Sequence, residues 1–266
     1  MSRNCFVVFF SLIVSVLGVS GRAEPPAEAS ALQSDGFSVV VYNLENLFDI
    51  DGVSLFDDYK PEKYGPDQFL RKLQNIATVL AKTDGGRGPA IILFQELEAD
   101  QTPSSTPPDY DALLERYAKD SLAAMLRQPV REEIADLPAE FFLLKAFQEA
   151  GLGDYHVAVA EYRPDPAGRV VAHVNATFSR FPIRSFQTHQ SPGARGALEV
   201  VHDVHGSQFH TFNNHWKSGA SDPASEKIRL GNARVLRDRL EELVQADRNV
   251  DFIVAGDFNS QYNQSQ

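Results

Sequence analysis

DFIVAGDFNS, residues 251–260, decides how the rest of the chain reads. Asp251 to Ala255 is a short apolar run rich in branched and aromatic residues, the pattern of a buried strand. Gly256 breaks the run, and Asp257 and Asn259 stand beyond it, two residues apart. On an extended backbone that spacing puts both polar heads on one side. In α/β proteins the carboxyl ends of such strands are where chemistry is placed. The same residues also make ordinary turns, so the blocks upstream bear on the choice.

Working outward, three more strand ends carry polar groups. The run FSVVVY at 37–42 leads into Asn43 and Glu45. AIILF at 90–94 exits into Gln95 and Glu96, and a strand over 208–213 precedes His215 and Lys217. Between the first two, Phe69, Leu73, Ile76, Ala77 and Leu80 follow helical spacing. Strand, helix and strand in that order make a βαβ unit. Helical stretches are expected over 110–127, 139–150 and 225–245, with a charged, Pro-bounded segment at 129–138. Further strands are expected over 155–161, 170–179 and 197–204. No linker interrupts the chain, so residues 37–266 read as one domain.

The first 23 residues stand apart. Arg3 precedes an apolar run from Phe6 to Val19, and Gly21-Arg22-Ala23 supplies small residues at −3 and −1. This is the pattern of a cleavable signal peptide, too short to span a bilayer comfortably. It implies a secreted or periplasmic protein with no stable membrane span. Residues 24–36 form a polar, Ala/Pro-rich leader. Cleavage after Ala23 removes Cys5, the one cysteine, so the mature chain has no disulfide and relies on its core. It also removes Arg3 and Arg22 but no acidic residue, leaving a protein more acidic than the −11 of the full chain. Such a charge disfavours non-specific adsorption to nucleic acid. It leaves room for a phosphodiester substrate where a divalent metal offsets local charge.

Hard divalent cations take oxygen ligands, and Mg²⁺ takes one or two carboxylates beside water and substrate phosphate. Glu96, supported by Glu45 or Asp257, meets that requirement. His215 alone reads as an ordinary histidine; converging with acidic strand ends, it is a candidate general acid or electrophile towards a phosphoryl oxygen.

In order along the chain, YNLEN at 42–46, FQELE at 94–98, NNHWKS at 213–218 and GDFN at 256–259 resemble the successive signatures of the endonuclease/exonuclease/phosphatase superfamily, the DNase I-like fold. SRFPI at 179–183 and RGALE at 195–199 resemble its weaker intermediate blocks. The opening block is most similar to predicted extracellular nucleases of this superfamily. The resemblance implies a four-layer α-β-β-α sandwich of two largely antiparallel sheets. It makes Glu96 the main ligand for Mg²⁺ or Mn²⁺, with Glu45 as a less central metal-shell position. It assigns Asn43, His215, Asp257 and Asn259 to the phosphate, the leaving group and the nucleophilic water. The implied reaction is metal-assisted hydrolysis of a phosphoester by a monomer, most simply a nuclease. A sphingolipid or phospholipid phosphodiesterase and an inactive binding domain are the alternatives.

The family pattern ends in a Ser-Asp-His block that QYNQSQ at 261–266 does not supply, so the domain is expected to be incomplete at its C-terminus. Lys217 and Arg180 are candidate phosphate-binding residues. Arg180 and Arg195 each read either as a phosphate clamp or as a surface ion-pair partner, and Trp216 as a stacking face for a base or sugar or, more simply, as core or rim packing. His173, His189, His202, His205 and His210 lie outside any Ser-Asp-His context and read as surface or strand-face residues.

Overall fold

The computed structural model describes residues 36–100, 108–162, 168, 170–191, 193–219 and 222–260. The expected signal peptide, the leader up to residue 35 and residues 261–266 lie outside them. Strand β1 (Val39–Leu47) runs through the YNLEN block, and α1 (Pro66–Leu80) follows with Pro66 in its first turn, where the missing N–H costs nothing. α1 buries Phe69, Leu73, Ile76, Ala77 and Leu80, the stripe read from the sequence. β2 (Ile91–Glu98) then lies parallel to β1. β3 (His156–Val159) and β4 (His173–Ser179) complete a four-stranded sheet in the order β1-β2-β4-β3.

The second sheet contains β5 (Ile183–His189), β6 (Ala197–Val204), β7 (Ser207–His215) and β8 (Asp251–Asp257) in sequence order. β7 and β8 are parallel and joined by the long helix α6 (Pro223–Ala246). Each sheet thus holds one parallel strand–helix–strand unit, and the remaining pairs are antiparallel.

Helices cover both outer faces. α1 and α5 (Ala139–Glu149) pack on the first sheet, where Phe69 meets Phe142 and Phe94 meets Phe147 and Phe178. On the second sheet, Leu236 and Leu243 of α6 cover Phe212 and Val254. The result is the expected α-β-β-α layering. The stretch 110–127 is two helices, not one: α2 (Tyr110–Arg116) and α3 (Leu122–Met125), capped by the side chains of Asp109 and Ser121. Each cap satisfies a backbone N–H that the helix itself leaves open. The charged segment after them holds the short helix α4 (Glu132–Ala135). β5 has no counterpart in the sequence reading, because as a largely exposed edge strand it lacks a buried face to impose alternation.

Between the sheets, one end is apolar, built from Phe37, Ile91, Leu93, Phe181, Phe209, Ile253 and Ala255. Toward the carboxyl ends of β2 and β8 the layer becomes polar and is stitched by amides. Gln95 Nε2 donates to Asn213 Oδ1 at 2.7 Å, and Asn213 Nδ2 donates to the carbonyls of Phe94 and Ala176, both at 2.9 Å. Asn175 Nδ2 reaches the carbonyls of Asn213 and Gly196, both at 3.1 Å. A buried amide stripped of such partners costs about 1–3 kcal/mol, so these bonds fix how the sheets meet.

Of the five histidines read as surface or strand-face residues, His205 alone is exposed. His202 is fully buried, with its ring nitrogens 2.9 Å from Ser179 Oγ and 3.0 Å from Thr211 Oγ1. His189 Nε2 and His210 Nδ1 lie 2.6 and 2.9 Å from the two oxygens of Glu199, which Arg239 of α6 also grips at 2.8 and 3.1 Å. Strands β4, β6 and β7 bury residues on both faces over most of their length, so strand alternation does not separate inside from outside there.

Candidate active site

Four strand ends meet where the two parallel units face one another. β1 delivers Asn43, β2 delivers Glu96, β7 delivers His215 and β8 delivers Asp257. Asn43 Nδ2 donates to Glu96 Oε1 and to Asp257 Oδ2, each at 3.1 Å. One amide therefore ties carboxylates from different sheets, 161 positions apart along the chain. The second oxygen of Glu96 accepts from the backbone of Asn46 at 3.1 Å, and that of Asp257 from the backbone of Asn259 at 3.0 Å. His215 is buried, its Nε2 is 3.7 Å from Glu96 Oε1, and its Nδ1 has no partner among the described residues. Burial first, then the charges of Arg195 and His173, hold its ring well below the usual histidine range.

The backbone is strained at this place. Glu45, Asn46, Glu96 and Asn259 all have positive φ, between 50° and 64°. Such values for non-glycine residues cluster at functional sites because the surrounding structure must hold them there. Lys72 of α1 does so for the first turn, donating from Nζ to the carbonyls of Glu45 and Asn46 at 2.5 and 2.8 Å. Gly256 serves β8: with φ of 138°, a Cβ on it would fall inside the backbone of Asn214. Only glycine lets β7 and β8 close up and set Asp257 beside His215, its register partner.

The remaining sequence-derived residues divide. Asn259 is at the site, its Nδ2 on the Trp216 carbonyl at 3.1 Å. Glu45 is exposed, and its charge falls on Tyr42, Tyr59 and Lys72. Lys217 follows His215 and is half exposed, its carbonyl held by buried Arg229 at 3.0 Å. Arg180 is not brought in. It follows Ser179, which pairs with Ile91 at the opposite end of β2 from Glu96. There its guanidinium donates to the carbonyls of Arg87, Gly88 and Leu152 and lies over the Tyr155 ring. Its expected role as a phosphate ligand fails on position: it closes a loop.

Sequence reasoning assigned no role to Asn46 or Lys72. Asn46 stood inside a quoted block, whereas Lys72 gives no signal beyond being a charge on the polar side of an amphipathic helix.

Two carboxylates bridged by an amide suit a hard cation that keeps water and substrate in its shell. The donor set fits Mg²⁺ or Mn²⁺; among the described residues no group of three or more His, Cys, Asp or Glu is arranged to hold a metal by itself.

Residues 156–266 match the endonuclease/exonuclease/phosphatase family. No curated protein sequence matches the chain. Similar solved structures include TDP2 from C. elegans, at 12% identity and a TM-score of 0.46, covering 79% of this chain and 47% of that one. Another is an endonuclease/exonuclease/phosphatase family protein from Leptotrichia buccalis, at 14% identity and 0.48, covering 85% and 69%. A third is sphingomyelinase C from Streptomyces griseocarneus, at 14% identity and 0.42, covering 85% and 65%. The chain thus spans about half the length of the first of these.

Proposed function

We propose that the chain, whose residues 156–266 match the endonuclease/exonuclease/phosphatase family, is an exported, divalent-metal-dependent phosphodiesterase, most simply a nuclease. One observation carries the reading: Asn43 joins Glu96 and Asp257 across the two sheets, with buried His215 beside them. In this reading Glu96 holds the cation with Asp257 next to it. When bound there, Mg²⁺ or Mn²⁺ supplies positive charge against the phosphate and its leaving oxygen.

The chain's own residues supply the rest. Asn43 keeps the two carboxylates at a fixed separation, so neither swings away when charge builds up. Asp257, steadied by the Asn259 backbone, orients the attacking water and accepts its hydrogen bond at a carboxylate oxygen. His215, its ring neutral, donates a hydrogen bond to a phosphoryl oxygen, and that bond strengthens as the oxygen gains charge.

A second reading, a lipid phosphodiesterase, is favoured by a separate feature. Between β1 and α1, Val53, Leu55 and Phe56 are 48%, 48% and 39% exposed. Asp51 flanks them, and Asp57 and Asp58 pair with Lys60 and Lys63 at 2.6 and 2.8 Å, so the patch carries no excess of positive charge and suits a zwitterionic surface better than an anionic one. Hydrolysis of bis(p-nitrophenyl) phosphate with Mg²⁺ or Mn²⁺ tests the shared chemistry, and Glu96→Gln should abolish it. DNA cleavage without sphingomyelin cleavage supports the nuclease; the reverse result replaces it with the lipid enzyme. No metal-dependent turnover on any of the three contradicts both. N-terminal sequencing of the exported protein should begin at Glu24, and a retained Met1 would contradict export.

A further inference from the structure

The loop between β1 and α1 comes back to the site before it enters the helix. Asp49 N donates to Glu98 Oε2 at 2.7 Å, which pins the start of the loop to β2 two residues beyond Glu96. The chain then returns through a single 3₁₀ turn, Asp57–Tyr59. The Tyr59 ring stacks on buried Phe48, just past the end of β1, with centroids 4.4 Å apart. Lys72, which holds the Glu45 and Asn46 carbonyls, places its Nζ 5.9 Å from the centre of that ring. Asn46 in turn donates its backbone N–H to Glu96, so the aromatic group is tied by contacts to the candidate metal ligand.

Phe56 is the exposed member of this group. Its ring lies 5.5 Å from that of Phe48 and 5.1 Å from that of His173, edge to face with the histidine. His173 opens β4 and pairs with Glu98, so Phe56 stands beside the end of β2 that carries Glu96. Its backbone is fixed as well: Phe56 N donates to Ser54 Oγ at 3.1 Å, and its carbonyl accepts from Tyr59 N at 3.0 Å. Even so, 39% of the residue stays open to solvent. Phe186 of β5 is the contrast. It is also exposed, but it has no ring contact among the described residues and lies on the outermost strand of the second sheet.

A ring braced by rings from two strands offers a flat face of fixed orientation, which suits another flat ring. A lipid tail needs apolar area and no particular orientation. The chain's charge of −11 also leaves little scope for gripping a run of phosphates, so affinity for nucleic acid has to come from contacts other than the backbone. We propose that Phe56 is the stacking platform for one unstacked base of a single-stranded nucleic acid, seated beside the phosphate that the site hydrolyses. The substrate class rests on the nuclease reading, while the platform itself does not require turnover. Bases inside a duplex have both faces covered by their neighbours, so only a single strand or a frayed end can use the ring.

The probe is a short, labelled, phosphorothioate-linked oligothymidylate, which resists hydrolysis, titrated with the full chain in Mg²⁺ and followed by fluorescence anisotropy. Phe56→Ala should weaken binding about 5- to 100-fold, the range for losing one base–aromatic stack. Phe56→Leu, apolar but not flat, should fall with Phe56→Ala, whereas Phe56→Trp should bind at least as well as wild type. Phe186→Ala should bind as wild type does, and a duplex of the same length should bind more weakly and ignore Phe56→Ala. Equal affinity in wild type and Phe56→Ala, or no binding by wild type, would overturn the platform. So would Phe56→Leu matching wild type, a comparison that still decides should Phe56→Ala fail to fold. Sphingomyelin vesicles bound by wild type and released by Phe56→Ala, without oligonucleotide binding, would overturn it in favour of a lipid surface. A wild type that binds the strand through Phe56 but hydrolyses no phosphodiester supports the platform and overturns the enzymatic reading. Metal-dependent DNA cleavage beside an oligonucleotide affinity indifferent to Phe56 does the opposite.

Discussion

Two carboxylate–histidine clusters use the second sheet, one on each side, and they differ in what is left open. On the outer face, Glu199 of β6 takes bonds from His189 of β5, His210 of β7 and Arg239 of α6. Both its oxygens are occupied, and the cluster joins four elements. At the inner edge, Asp257 and His215 meet Glu96 and Asn43 from the first sheet. There His215 Nδ1 and nearby Arg195 Nε have no described partner, and four backbone positions in the motifs are strained. Both clusters set histidine beside carboxylate. Unmet hydrogen-bonding capacity and strain distinguish the site, while complete satisfaction marks the brace.

The sharpest way to break the inner cluster is through its backbone. Gly256→Ala puts a Cβ into the Asn214 backbone at a φ of 138°. It should cost more than about 4 kcal/mol, in the exceptional range for one substitution, and separate β8 from β7. The expected result is a chain recovered insoluble or with its cooperative thermal transition lost. A soluble variant unfolding within a few degrees of wild type would show that the strands can part without Gly256.

The outer cluster should fail differently. Glu199→Gln leaves half-buried Arg239, which also holds Glu242 at 3.1 Å, against an uncharged partner, and should cost about 1.5–3 kcal/mol, the range for hydrogen bonds to a charged group. Phosphate affinity and any hydrolysis should be unchanged at temperatures where the variant is folded. Acid titration sharpens the contrast. Burial works to raise the Glu199 carboxyl, but hydrogen bonds from His189, His210 and Arg239 outweigh it and hold it well below the ordinary value of 4.5. A group whose folded value is depressed adds stability above its unfolded value and loses it as pH falls towards the folded one. Wild type should therefore lose stability progressively below about pH 4.5, and Glu199→Gln should lose less over the same interval. Parallel acid arms in denaturant unfolding would remove Glu199 as the brace.

The two clusters were unequally legible in the sequence. Asn43, Glu96, His215, Asp257 and Asn259 could be read because each follows an apolar strand run, and short motifs survive without tertiary information. The βαβ unit and the α1 stripe were visible for the same reason: helical and strand periods differ. The Glu199 brace was not visible, since its four members come from four elements and each looks like an ordinary polar residue on a strand or helix. Strand alternation marked the histidines as surface candidates, and only the covering helices and facing sheets bury them. Arg180 and Arg195 were equivalent as text. What separates them is the antiparallel pairing of β4 with β2, which carries Ser179 to the start of β2 and away from Glu96.

The central claim is that the inner cluster is a divalent-cation site built from two sheets. Calorimetric titration with Mg²⁺ or Mn²⁺ tests it without requiring turnover. The account predicts one saturable site in wild type, weakened about 10- to 100-fold or more in Glu96→Gln and Asp257→Asn, and unchanged in Glu199→Gln. Equal cation affinity in wild type, Glu96→Gln and Asp257→Asn, or none in any of them, would contradict it.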